Sequence, residues 1–198
     1  MNQHLRTLGT GLVLTAIAAF SATTSYAANL EGTVTAPKGT AGLIVFVTKA
    51  PGTFAAPAEH PHVDQRNMKF LPRVLPIVAG TTVDFVNSDS VNHNVFSPDN
   101  EGYNLGTWPK GDKRSYTFKR EGVYTQLCSL HPEMEGFVVV LSNSYYATAG
   151  ADGHFSIANV PAGHYVLQVW GEKLKGPEKK KTFPVDVTAD GAKTTISL

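Results

Sequence analysis

Cysteine is nearly absent: Cys128 is the only one in 198 residues. A lone cysteine excludes an intramolecular disulfide framework and any zinc site built on two or more thiolates. An excess of charge of one sign is also missing. With 17 basic and 16 acidic residues the formal charge is +1, which gives no support for nucleic-acid binding. No apolar run is long enough to cross a bilayer comfortably; the most apolar, Leu8–Phe20, has 13 residues. A sustained 3.6-residue apolar period is lacking as well, so long amphipathic helices are not expected. The 42% hydrophobic and 17% charged content is that of a globular chain rather than a disordered or fibrous one.

The short apolar run has a use. Met1–Ala27 carries a positive residue, Arg6, then the run, then Ser25-Tyr26-Ala27 with small residues where a signal peptidase reads. Cleavage is expected after Ala27, with export to the periplasm and no membrane span left in the mature chain. The alternative is an uncleaved N-terminal anchor. Removing Arg6 leaves 16 basic and 16 acidic groups, a neutral mature chain. An unpaired thiol in an oxidising compartment needs protection, by burial or by a metal bond.

After Ala27, short alternating apolar runs are bounded by Gly, Pro, Asn and Asp. They include Leu43–Val47, Thr82–Val86, Ser115–Phe118, Phe137–Leu141, His154–Ile157, Tyr165–Trp170 and Phe183–Val187. With 18 Gly and 12 Pro as punctuation, an all-β chain of packed sandwiches is predicted. Pro51–Pro61 is rich in Pro and Ala and suits a linker or an extended crossing segment.

The chemistry concentrates in Cys128-Ser129-Leu130-His131-Pro132-Glu133-Met134, where a thiolate, an imidazole and a thioether recur every three residues. Upstream lies Asn92-His93-Asn94-Val95. One Cys, two His and one Met are the donors of a blue-copper site: a trigonal plane of two imidazoles and a thiolate, with a weak axial thioether. Thiolate and thioether favour Cu(I), and imidazole accepts either oxidation state. Runs on both sides read as strands, so the segment is a loop that can aim several side chains at one point. Taken singly, each residue has a plainer reading. A cysteine at a strand end is a small buried hydrophobe, His131-Pro132 an ordinary turn, and Met134 a gap filler. Only the joint spacing, with His93, outweighs these.

The segment from Gly122 through Val140 resembles the ligand loop of the small cupredoxins, with the short Cys-x-x-His-x-x-Met spacing of amicyanin. Val74–Asn87 resembles the strands that precede the first ligand in that family, and His93-Asn94-Val95 its first copper ligand and the Asn that follows. More narrowly, the chain is similar to methylamine-utilisation-type proteins with a cupredoxin domain. The resemblance implies a Greek-key β-sandwich with copper held by His93, Cys128, His131 and Met134. It also implies that Asn94 hydrogen-bonds across to Ser129 or its backbone. It implies single-electron exchange with a redox partner such as a c-type cytochrome or a periplasmic dehydrogenase or oxidase, through the ring edge of His131. Gln126 is a departure, because related sites often carry an aromatic residue there. Strand alternation points it inward with Tyr124 and Cys128, and a buried amide needs partners.

The stretch from Thr148 through Leu167 resembles a carboxypeptidase-regulatory or transthyretin-like sandwich. Residues 143–198 are short for a complete sandwich, and Leu30–Thr35 with Gly42–Thr48 look like its opening hairpin. The expected organisation is therefore residues 28–50 and 143–198 closing one smaller sandwich, 51–62 as linker, and 63–142 as an inserted cupredoxin domain. Alternatively, 28–50 adds edge strands to the cupredoxin, in which case Val45 and Val47 pack on Phe85 or Val139 rather than on Ile157 or Val169. His60-Pro61-His62 invites a second metal site, but two histidines flanking a proline in such a stretch are expected to be solvated loop residues, and His154 and His164 surface residues. Lys173, Lys175, Lys179, Lys180 and Lys181 form either a solvated hairpin loop or a docking patch for an acidic partner. Competing functions are copper delivery or storage, a copper-stabilised binding module, and a copper enzyme. An enzyme would need a second metal or an open coordination position, and no further ligand cluster is visible in the sequence.

Overall fold

The computed structural model describes residues 27–37 and 39–198, so the expected signal segment lies outside the described residues except for Ala27, which opens the first strand. Among the described residues there is no α-helix; one 3-10 turn, Gly176–Lys180, sits in the lysine-rich loop. The strands are β1 (Ala27–Thr35), β2 (Ile44–Val47), β3 (His62–Gln65), β4 (Phe70–Leu71), β5 (Val74–Val78), β6 (Thr82–Asn87), β7 (His93–Ser97) and β8 (Tyr103–Trp108). They continue with β9 (Lys113–Thr117), β10 (Gly122–Leu127), β11 (Glu135–Leu141), β12 (Tyr146–Thr148), β13 (His154–Pro161), β14 (Gly163–Trp170), β15 (Thr182–Val187) and β16 (Ala192–Ser197).

These strands build two sandwiches. In the first, the sheet β5-β11-β10-β7-β8 packs on the sheet β4-β3-β6-β9. Its core holds Val63, Phe70, Val83, Phe85, Val95, Trp108, Phe118, Tyr124, Val138 and Val140, together with Cys128 and Met134. In the second, the sheet β13-β1-β16 packs on β12-β2-β14-β15. Val45 and Val47 of β2 lie in its core with Ile157 and Val169, and Val45 sits directly opposite Val169 in the ladder.

Alternation explains how the two sandwiches join. Successive side chains of a strand point to opposite faces. In β11, Val138 and Val140 face the first core, whereas Val139 and Leu141 face a third cluster with Ile44, Phe46, Val74, Val123, Tyr146 and Trp170. In β2, Val45 and Val47 face the second core while Ile44 and Phe46 face that same third cluster. Strands buried on both faces read as unbroken apolar runs, which is what Phe137–Leu141 and Leu43–Val47 are. The Tyr146 hydroxyl donates across the junction to the carbonyl of Pro76 at 3.2 Å.

Two local features differ from the sequence pattern. His62 opens β3 rather than closing a linker. The strand read as ending near Ile157 runs on to Pro161. Asn159 adopts a left-handed φ of 57°, and the register against β1 slips there, Leu30 opposite Ile157 but Ala28 opposite Val160. An extra residue is absorbed as a bulge, so inward positions step from Phe155 and Ile157 to Val160. On the facing strand, Gly32 must lack a side chain: a Cβ would lie 2.3 Å from the carbonyl oxygen of Thr194.

Candidate metal centre

Two loops, β6–β7 and β10–β11, meet at one end of the first sandwich. β10 ends at Leu127 and delivers Cys128; the turn to β11 carries His131 and Met134; β7 begins with His93. Pairing of Leu127 with Phe96 brings β10 alongside β7. Cys128 Sγ lies 3.9 Å from His93 Nδ1 and 3.7 Å from His131 Nδ1, and the two Nδ1 atoms are 3.0 Å apart. A triangle with those sides has its centre about 2 Å from each corner, the bond length that imidazole and thiolate donors make to a metal ion of this size. It is the group of metal-ligating side chains found among the described residues. Met134 is fully buried in the same core cluster as Cys128, and its N–H donates to the His131 carbonyl at 3.0 Å. His93 and Cys128 are buried; His131 is half-buried, beside exposed Leu130 and Pro132.

The surrounding hydrogen bonds settle how the donors are oriented. Asp89 Oδ2 lies 2.9 Å from His93 Nε2. A carboxylate only accepts, so Nε2 carries the proton and Nδ1 turns a lone pair toward the centre. Asp89 also accepts from the backbone N–H groups of Asn67 at 2.7 Å and Met68 at 3.0 Å. Burial alone would push its carboxyl up; the Met68, His93 and Asn67 donors outweigh that and hold it below the usual carboxylate range. The backbone N–H of Asn94 donates to Cys128 Sγ at 3.4 Å. Its side-chain oxygen accepts from the Ser129 N–H at 3.1 Å and hydroxyl at 2.9 Å, and its Nδ2 donates to Asn104 Oδ1 and the Gly106 carbonyl. Asn94 thus ties the ligand loop to β8.

Gln126 points into the core and is 1% exposed. Both ends of its amide are partnered: Nε2 donates to the Tyr124 carbonyl at 2.9 Å, and Oε1 accepts from the Tyr103 hydroxyl. Burial raises the Tyr103 phenol far above its ordinary value, so it stays a donor. Tyr103 in turn stacks on Tyr116, ring centroids 3.9 Å apart.

Other flagged histidines lie elsewhere. His60 is exposed but reaches Asp84 at 3.1 Å; His62, His154 and His164 are exposed, His164 against Asp186. Asp89 and Tyr103 are the residues that sequence reasoning missed. An acid four residues before a candidate histidine ligand was the available signal for Asp89.

Residues 58–141 match the family described as copper binding proteins, plastocyanin/azurin family, and residues 120–196 match polysaccharide lyase family 4, domain II. No curated protein matches the chain. Among solved structures, a purple cupredoxin from Nitrosopumilus maritimus is similar at 33% identity, over 40% of this chain and 98% of its own, with a TM-score of 0.38. Amicyanin from Paracoccus versutus is similar at 29% identity, over 48% of this chain and 96% of its own, TM-score 0.40. A Cu-containing nitrite reductase from Thermus scotoductus matches at 30% identity, over 47% of this chain, TM-score 0.41; the chain spans a quarter of that enzyme's length.

Proposed function

Residues 58–141 belong to the plastocyanin/azurin family of copper-binding proteins, and on that premise we propose that this chain is an exported, non-enzymatic carrier of single electrons with one type 1 copper site. The cofactor is copper. His93, Cys128, His131 and Met134 would hold it. The observation that carries the assignment is the triangle of Sγ and two Nδ1 atoms, which is sized for one metal ion. When bound, copper supplies one-electron chemistry by alternating between Cu(I) and Cu(II).

The protein residues keep that alternation cheap in rearrangement. Asp89 fixes the His93 ring, and Asn94 fixes the ligand loop, so the donors hold one geometry in both oxidation states. Phe70, Val95 and Trp108 in the same core exclude water from the buried side. His131, half-buried next to exposed Leu130, offers the electron a short exit to a docked partner such as a c-type cytochrome or a periplasmic dehydrogenase or oxidase. We further propose that the cupredoxin unit, residues 63–142, is inserted into a sandwich closed by 28–50 and 143–198, which share one core. Localisation in the periplasm follows from the signal segment read in Met1–Ala27.

The test is the visible and electron-spin-resonance spectrum of the copper-loaded protein. Intense visible thiolate-to-copper absorption, the blue colour of this donor set, is expected together with a copper spin-resonance signal. A colourless copper protein, or one that retains only zinc, overturns the proposal.

A further inference from the structure

The strand that leaves the metal loop is gripped from the other sandwich. Arg73, between β4 and β5, reaches Glu135 twice: Nη1 donates to its carbonyl and Nη2 to its carboxylate, each at 2.7 Å. The same guanidinium is forked by Glu172, just after β14 of the second sandwich, with Nε to Oε2 at 2.9 Å and Nη2 to Oε1 at 2.8 Å. The Arg73 carbonyl accepts from the Phe137 N–H at 2.7 Å. Above this, the Phe137 ring lies 5.6 Å from the guanidinium carbon and 5.5 Å from Trp170 of β14. Glu135 is the residue next to Met134.

We propose that Glu172 is a positioning residue for the metal site: acting through Arg73 and Glu135, the second sandwich sets where Met134 sits and so tunes the reduction potential. The inference rests on the type 1 copper reading. Half-exposed ion pairs contribute little to stability, whereas a bidentate guanidinium–carboxylate fork fixes direction as well as distance. Hydrogen bonds to Glu172 and Glu135 raise the Arg73 guanidinium further, and Arg73 lowers the Glu172 carboxyl. The path has little slack. A Cβ on Gly136 would lie 3.0 Å from Phe70 Cβ and 3.1 Å from the Arg73 carbonyl oxygen, so β11 runs hard against the Arg73 backbone. Axial donors are a principal control on the potential of such sites.

Glu172→Gln and Glu172→Asp test this in the full chain. Aspartate keeps the charge but cannot reach the guanidinium with both oxygens, so positioning predicts that both variants change. Each is expected to shift the redox equilibrium by about threefold, about 28 mV for a one-electron couple, and to alter the hyperfine splitting. In metal-free protein, both should speed exchange of the Phe137 amide several-fold. A blue wild type whose potential and spectrum match those of both variants overturns the proposal alone. A shift in Glu172→Gln without one in Glu172→Asp reduces it to a charge effect and overturns it too. A wild type that is not blue overturns the copper reading itself, and this proposal with it.

Discussion

Asp89 holds the rear nitrogen of His93 at 2.9 Å, and the same carboxylate is pinned by the backbone amides of Asn67 and Met68. The β3–β4 turn, the loop before β7 and the buried imidazole are thereby locked as one piece. The lock sits on the side of His93 away from Cys128, where it can orient the ring without competing for the metal.

Replacing Asp89 with asparagine tests how much of the metal affinity comes from that lock. The amide can still accept from Nε2 but can also rotate and offer a donor, which favours the wrong tautomer. Loss of such a partner typically weakens metal binding by about 10–100-fold. Competition with a chelator should show a loss of that size with an unchanged circular-dichroism spectrum. Unaltered affinity would mean that the contact merely ties two loops.

Met134 separates a ligand from a core filler. A Met→Leu change conserves volume and usually costs less than about 1.5 kcal/mol. Softness favours a thioether over a harder donor at Cu(I), but leucine offers no donor at all, and loss of a ligand costs the more highly charged Cu(II) more than Cu(I); if the thioether ligates, the potential of Met134→Leu should therefore rise. A variant with wild-type potential and only a small loss of stability would return Met134 to the core.

The all-β class and the donor motif could be read from the sequence because both are local: apolar alternation and donors at i, i+3 and i+6 need no tertiary information. Tyr103–Trp108 escapes that reading because Asn104 and Gly106 interrupt its pattern. Their reason for being there is non-local, since they receive the Asn94 side chain. Asp89 is likewise an ordinary loop acid until folding places His93 against it. The Arg73–Glu172 contact joins residues 99 positions apart, with no period to betray it. Strand alternation turns Gln126 inward, but its partner Tyr103 comes from a strand whose place beyond β7 only the sheet order shows.

Asp84 should carry part of the acid stability. It is nearly buried on β6, where desolvation pushes its carboxyl up, but donors from Lys113, Ser115 and His60 outweigh that and bring it from 3.8 to about 2. A carboxyl whose folded pKa is depressed stabilises the fold above its unfolded pKa and loses that contribution as pH falls through the folded value. The window is therefore about pH 4 down to about pH 2. Discounted for the exposed Lys113, the contribution is about 1–2 kcal/mol at neutral pH. Asp84→Asn should lower stability at pH 7 by roughly that amount and flatten the acid limb in denaturant titrations at several pH values. Parallel wild-type and variant curves would show that the shift is not coupled to folding.

Ile44 tests whether the sandwiches unfold together. Its side chain is fully buried, yet it faces Val139 and Leu141 of the first sandwich, while its neighbour Val45 faces the second core. Ile44→Ala and Val45→Ala therefore delete comparable apolar volume from opposite faces of one short strand. Ile44→Ala should cost about 2–5 kcal/mol, the usual range for such a truncation, taken mainly from the junction. Val45→Ala should weaken the second core alone. Calorimetry should then show one wild-type transition, which splits in Ile44→Ala as the two units lose their coupling, and which moves in Val45→Ala with the second unit leading. Unsplit transitions in both variants would mean that the ion-pair fork at Arg73 and the Tyr146–Pro76 hydrogen bond suffice to hold the sandwiches as one cooperative body.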